Sequence, residues 1–210
     1  MNRIGAWCGF LGVAGNVLGV AVLGPIPSAY RPGPLPSWVR EVIAAPDAAA
    51  ASAVAFTIGL LALAGWALIV GSRLQSPIAR AGGVMIAIGA VLDAAATPSQ
   101  LVVAIHMGPL CRAGADCLPA GVAILGTSLA LDALFNLLLG LGLIAMSVTL
   151  WRLQRAWRWL GPLALVAGLA SVPVGLQVYS DQAARLLGIA APFWLTFVCA
   201  SSVGLWRDRL

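Results

Sequence analysis

The sequence predicts an all-α membrane protein, a six-transmembrane-helix bundle in a single transmembrane domain over residues 1–210. The chain is 61% hydrophobic and only 9% charged, with a mean hydropathy of +0.98, whereas soluble domains carry about 25% charged residues. Six apolar segments also match the ~20 residues that cross a hydrocarbon core of ~30 Å. They lie at about 4–24, 51–72, 81–107, 120–150, 159–178 and 188–206.

The charged residues predict the orientation in the membrane. All 12 basic residues are arginines, which excludes a lysine Schiff base to retinal or pyridoxal phosphate. They lie at the ends of the apolar segments, which argues against nucleic-acid binding. With a cytoplasmic N-terminus, one side collects Arg3, Arg73, Arg80, Arg152, Arg155, Arg158, Arg207 and Arg209, and the other Arg31, Arg40, Arg112 and Arg185. The positive-inside rule therefore predicts that both termini are cytoplasmic.

The longest predicted loop, residues 25–50, lies on the outer side. It begins with an extended proline-rich stretch, and a short interfacial helix is expected at about 38–45. We interpret this region as a covering loop, and the alternative is a lid over an outer cavity.

The cysteines predict a disulfide and no metal site. Cys111 and Cys117 lie in an outer loop, where disulfides persist, and five residues between them can close a small ring. The chain contains four cysteines and one histidine, and no cysteine pair has the spacing of a zinc site. We therefore expect no metal and no cofactor.

The odd-numbered segments share a pattern. Each starts at an arginine and has a polar residue thirteen positions later, at Asn16, Asp93 and Ser171. Glycine and alanine residues recur at spacings that keep them on one helical face, and such small-residue faces let membrane helices approach closely. The pattern indicates three related helical hairpins, or a chance match in a chain rich in glycine and alanine.

Polar residues inside the third and fourth segments give the sharpest functional signal. An ionisable residue within a membrane is costly and usually faces the bundle interior. Asp132 and Asn136 share one face of the fourth segment with Ser128, and we expect them to approach Asp93. Pro98 should kink the third segment and open a small cavity. The candidate ligand or proton site comprises Asp93, Asp132, Asn136, Asn16, Gln100, Thr97 and His106, with His106 interpreted first as an interfacial imidazole.

The layout of six segments and two stretches of sequence resemble small bacterial membrane proteins of unknown function. The stretches are Trp159-Leu-Gly-Pro-Leu-Ala-Leu-Val-Ala-Gly-Leu and the ending Phe-Trp-Leu-Thr-Phe-Val-Cys-Ala-Ser-Ser-Val-Gly-Leu-Trp-Arg. The resemblance implies a protein of the bacterial cytoplasmic membrane and implies no catalytic residue.

Three functions fit these observations. The first is a non-catalytic structural or regulatory membrane subunit, whose Asp and Asn residues join helices and whose partners are the lipid bilayer and other membrane proteins. The alternative is binding or proton-coupled transport of a small or amphipathic ligand at a midplane site, because neighbouring carboxylates cannot both ionise cheaply. The third is an intramembrane enzyme that uses Asp93 and Asp132. No GxSxG or HExxH motif supports the third function.

Overall fold

The computed structural model describes residues 2–22, 35–153, 157–177 and 186–207. Within these ranges the secondary structure is helical throughout, without strands. The helices are α1 (Asn2–Val22), α2 (Leu35–Ala44), α3 (Pro46–Arg73), α4 (Pro77–Ala96), α5 (Pro98–Leu101), α6 (Gly108–Arg112), α7 (Leu118–Leu150), α8 (Leu160–Val174) and α9 (Leu187–Trp206), with a π-helical segment (Val102–Met107) between α5 and α6. The proline-rich start of the long loop lies outside the described residues.

Most of the predicted membrane segments correspond to helices long enough to cross a bilayer. Among the described residues, five helices are long and apolar enough: Asn2–Val22, Pro46–Arg73, Pro77–Arg112, Leu118–Leu150 and Leu187–Trp206. α8 is also apolar but has only 15 residues. It ends earlier than the predicted segment 159–178, and Pro173 and Gly175 lie at this end, where both weaken a helix.

Proline residues set several of the helix boundaries. Pro46 and Pro77 begin α3 and α4, the position where the missing backbone N–H of proline removes no helical hydrogen bond. A helix boundary lies at Pro98, because α4 ends at Ala96 and α5 begins at Pro98 after a turn at Thr97. The predicted kink stays a prediction.

The long helices pack in a closed ring. Each of α1, α3, α4, α7, α8 and α9 contacts the next in chain order, and α9 returns to contact α1. The interior is filled with apolar side chains, and Trp66 of α3 meets Phe197 of α9 across it with ring centroids 5.8 Å apart. Both side chains are fully buried.

Glycines make two of the ring contacts possible. A Cβ atom on Gly15 of α1 would lie 2.5 Å from the Cα of Gly59 in α3, and one on Gly82 of α4 would lie 2.6 Å from the carbonyl oxygen of Gly142 in α7. The backbones therefore touch where any side chain would separate them. The small-residue faces predicted for α1 and α4 are buried, as expected.

A second apolar cluster forms a cap over one end of the ring. Trp38, Val39 and Val42 of α2 pack with Val103 of the π-helical segment and Leu125 of α7. A helix is thus present at the predicted position 38–45, as α2 (Leu35–Ala44), while its location in the membrane interface stays a prediction. In the loop beside it, the sulfurs of Cys111 and Cys117 lie at a disulfide distance, with 5.5 Å between the Cα atoms.

Candidate functional site

The Asp132 carboxylate is the centre of a polar cluster that joins three helical regions. One oxygen, Oδ2, accepts a hydrogen bond from Nε2 of Gln177, and the other, Oδ1, accepts one from Nδ2 of Asn136 at 3.3 Å. The carboxyl group of Asp93 lies close to the Asp132 carboxyl group. Asp93 belongs to α4, Asp132 and Asn136 to α7, and Gln177 to the turn after α8. We call these four residues the carboxylate cluster.

The antiparallel contact between α4 and α7 brings the two carboxyl groups together. Gly89 of α4 packs on Phe135 of α7. Further along, Ser128 Oγ of α7 donates a 3.5 Å hydrogen bond to the carbonyl of Ala96 in α4. Asp93 lies between Gly89 and Ala96 in α4, and Asp132 lies between Ser128 and Phe135 in α7. The shared register therefore places the two carboxyl groups opposite one another.

Gln177 reaches the cluster because α8 and α7 also approach closely. A Cβ atom on Gly175 would lie 2.8 Å from the Cβ of Leu137 and 3.2 Å from the carbonyl oxygen of Ala133. The chain turns at Gly175, immediately after α8, and this turn aims the Gln177 side chain back at α7. Gln177 was absent from the residues predicted for the site.

The cluster is shielded from the surroundings of the protein. Asp93 is 7% exposed, Asn136 2% and Gln177 7%, while Asp132 is half-buried. The expectation that Asp93 and Asn136 face the bundle interior is therefore confirmed. A hydrogen bond between the two carboxyl groups requires a proton on one of them, because an ionised carboxylate has no donor. The arrangement can thus fasten helices to one another and can hold a proton.

A second group of polar residues lies one to two turns further along the same face, towards the cap. Thr97 Oγ1 is 2.7 Å from Thr57 Oγ1 of α3, and it can also donate to the carbonyl of Ala94 at 2.9 Å. Gln100 is 6% exposed, and its Oε1 has no hydrogen-bond partner among the described residues. Thr97 and Gln100 were both predicted for the site, and Thr57 was missed.

Two predicted site residues do not join the cluster. Asn16 donates its Nδ2 hydrogen bond to the carbonyl of Gly12 in its own helix, at 2.8 Å. It lies at the contact between α1 and α3, next to Gly59, and its described side-chain hydrogen bond does not extend to Asp93 or Asp132. His106 is exposed on the π-helical segment, on the other side of the break at Pro98.

Two signals in the sequence could have indicated Gln177. It is the first amide residue after the last turn of an apolar segment, and Pro173 and Gly175 mark the end of the helix before it. Pairing of the fourth and fifth segments along Gly140 and Gly168, whose backbones meet in the structure, brings position 177 level with position 132.

Comparisons with protein families, with curated proteins and with solved structures gave no match to this chain.

Proposed function

We propose that this chain is a non-catalytic membrane protein, a structural or regulatory subunit whose carboxylate cluster fastens the helices of a six-span bundle. One observation carries the proposal: both oxygens of the Asp132 carboxylate accept hydrogen bonds from amide side chains, and Asp93 reaches the same carboxylate. Side chains from α4, α7 and the turn after α8 thus satisfy one another's hydrogen-bonding groups.

A closed set of hydrogen bonds favours a structural role. In membranes, an interhelical hydrogen bond contributes about 0.6 kcal/mol on average and at most about 2 kcal/mol. A carboxylate that was kept for a ligand would expose an oxygen without a donor, whereas both Asp132 oxygens already have one. We assign the binding partners of such a subunit to the bilayer and to other membrane proteins, because the described chain offers almost no surface outside the helices.

The packing of the helix ends supports the six-span topology with both termini in the cytoplasm. The start of α1 meets the ends of α3 and α9, since Gly5 packs on Ile69 and Leu205. Likewise, the start of α8 meets the end of α7, where Gly161 packs on Trp151. The described arginines at these ends are Arg3, Arg73, Arg80, Arg152, Arg158 and Arg207. The positive-inside rule then favours the cytoplasmic face of a bacterial inner membrane for this end, with α8 and the turn through Gln177 as the remaining span.

The position of the cluster along the helices favours a depth beyond the midplane. At 1.5 Å per residue, Asp93 lies ~24 Å along α4 from Pro77, and Asp132 lies ~27 Å along α7 from Leu150. Against a hydrocarbon core of ~30 Å, these distances favour the half of the membrane nearer the cap. The cluster therefore fastens the helices close to the level at which α8 ends.

Substitution of Asp93 tests the structural role. We expect Asp93→Asn to change the free energy of unfolding by less than about 0.5 kcal/mol, because an amide can both donate to Asp132 and accept. Asp93→Leu should lower it by about 1–3 kcal/mol, because the neighbouring polar groups lose a buried partner. Unfolding is measured by dodecyl sulfate titration of the purified protein, followed by fluorescence of the eight tryptophans.

The matched control is Ala95→Leu, which adds the same side chain two positions away on an exposed part of α4. It should leave the unfolding free energy unchanged. Equal stability of the Asp93→Leu variant and the unsubstituted protein would contradict the structural role.

A second candidate is proton-coupled binding of a small or amphipathic ligand. The observation that favours it is the pair of adjacent carboxyl groups, which holds a proton, together with the unpartnered Oε1 of buried Gln100. Asp93 and Gln100 are seven residues apart and both buried, so that a ligand with a hydrogen-bond donor could contact both. Under this candidate, Asp93→Asn keeps the stability of the protein but abolishes proton release when ligand is added. Under the structural role, no added ligand releases protons from either protein.

A further inference from the structure

A recess opens between α1 and α9 at the arginine-rich end of the ring. Its volume is ≈ 430 Å³, and it is lined by Trp7, Phe10, Val203, Trp206 and Arg207. These residues belong to the first turns of α1 and to the end of α9, where the last described helix closes the ring against the first. The recess is separate from the carboxylate cluster, which involves α4, α7 and the turn after α8.

Aromatic rings form the walls of the recess. The rings of Trp7 and Trp206 meet edge to face at 5.9 Å, with planes at 85°. Phe10 packs against Trp7 in the same manner at 6.4 Å and 81°. Both tryptophans are about half exposed, at 57% and 44%. Tryptophans that are amphipathic and partly exposed at a helix end are typical of the boundary between lipid headgroups and acyl chains.

Two guanidinium groups lie at the mouth of the recess. Arg207 contributes directly to its lining, and Cζ of Arg3 lies 5.6 Å from the centroid of the Trp206 ring. The described lining residues include no carboxylate. Stacking on an aromatic face leaves the N–H groups of an arginine available at the edge of the guanidinium plane, and such groups bind phosphate in a bidentate manner.

We propose that this recess binds an anionic phospholipid of the surrounding bilayer. Its apolar walls fit the first part of an acyl chain, and Arg3 and Arg207 complement the charge of the phosphate and headgroup. A free anion would use the two arginines but would leave the aromatic walls without a contact, so the combination favours a lipid. This inference does not depend on the structural role proposed above, because it uses none of the same residues.

Quenching of tryptophan fluorescence by brominated lipids tests the site in the full chain reconstituted into vesicles. Brominated phosphatidylglycerol should quench Trp7 and Trp206 more strongly than brominated phosphatidylcholine at equal mole fraction. Because each arginine near an anionic surface strengthens binding about fivefold, Arg3→Gln with Arg207→Gln should weaken the preference for phosphatidylglycerol about 25-fold. Each single variant should lose about fivefold, and both single changes are at exposed side chains.

The control is the pair Arg73→Gln and Arg80→Gln, which removes the same charge from exposed positions at the same end of the ring. It should retain the preference. Trp7→Phe should remove a large share of the quenching by phosphatidylglycerol, which locates the lipid at the recess. Equal quenching by the two lipids, or an equal loss in the control pair, would overturn the proposal. Displacement of the lipid by inorganic phosphate alone would also overturn it, since it would identify a site for free anions.

Discussion

Two helix contacts, α1 with α3 and α4 with α7, are both made by glycines. Their polar residues, however, have different partners. Both depend on glycines that let the backbones touch, and each includes a polar residue thirteen positions after an arginine. In α1 this residue is Asn16, which donates to the carbonyl of Gly12 in its own helix. In α4 it is Asp93, whose carboxyl group reaches Asp132 on another helix.

The difference follows from the chemistry of the two side chains. An amide has N–H donors, which can bond a carbonyl one turn earlier in the same helix, and Ser171 of α8 uses its hydroxyl in this way with the carbonyl of Ala167 at 2.8 Å. An ionised carboxylate has acceptors alone, and the carbonyl groups of its own helix cannot satisfy them. A buried aspartate in a membrane helix therefore needs donors from other side chains, and Asp132 has one from Asn136 in its own helix and one from Gln177 after α8.

The largest effect should come from the α1–α3 contact, through its backbone rather than its polar residue. Gly15→Val would place a branched side chain where even a Cβ lies 2.5 Å from the Cα of Gly59. We expect a loss of about 3 kcal/mol or more in unfolding free energy, since overpacking typically costs about 1–3 kcal/mol and neither backbone can move aside. Dodecyl sulfate titration measures this loss. Val17→Leu on the exposed face of α1 is the control and should have no effect.

An intermediate effect is expected from the carboxylate cluster. Gln177→Leu removes the donor to Asp132 Oδ2 and leaves the volume of the side chain nearly unchanged. The unfolding free energy should fall by about 1 kcal/mol, within the range measured for hydrogen bonds between membrane helices. Gln177→Glu is informative as well, because it replaces a donor by a third carboxyl group and should destabilise the protein more at pH 8 than at pH 5. If Gln177→Leu left the unfolding free energy unchanged, this hydrogen bond would contribute nothing to stability.

The smallest effect should follow from Asn16→Ala. The Asn16 side chain donates its described hydrogen bond to the carbonyl of Gly12 in the same helix, and that carbonyl stays in place after the substitution. No described hydrogen bond between helices is lost. Asn16 is buried at the contact between α1 and α3, but its described hydrogen bond stays within its own helix, so we expect a loss of about 0.5 kcal/mol, the low end of the usual range for single substitutions. A loss comparable to that of Gln177→Leu would show that Asn16 contributes to packing between helices, and the contrast drawn between the two contacts would then fail.

The sequence was sufficient for the long apolar helices and for the face that Asp132 shares with Asn136 and Ser128, because both depend on local regularities. Apolar length predicts a membrane helix, and a four-residue spacing places Asp132, Asn136 and Ser128 on one face. The relative register of two helices depends on how they pack. This packing determined which other residues belong to the site. Gln177 joins the cluster through the approach of Gly175 to Leu137, and Asn16 is excluded because α1 packs against α3 and α9 instead of α4.

The duplication of three hairpins stays a prediction. The hydrogen bonds of the three polar residues indicate that such a duplication has not produced three equivalent sites. If Asn16, Asp93 and Ser171 descend from one position, two of the three now bond only to their own helices. The site would then be a property of α4 and its neighbours, with no equivalent in the other two hairpins.

The closure of the ring by α9 has a consequence for how the protein assembles during synthesis. Chains are made from the N-terminus, and early segments begin to fold before later ones emerge. The ring closes through the contact between α9 and α1, whereas its other contacts join helices that are neighbours in the sequence, apart from the approach of α9 to α3 across the interior. Until α9 enters the membrane, the face of α1 that includes Gly9, against which Ser202 of α9 packs in the finished protein, has lipid or an insertion factor as its neighbour. The contact that closes the ring can therefore form only after α9 has been made.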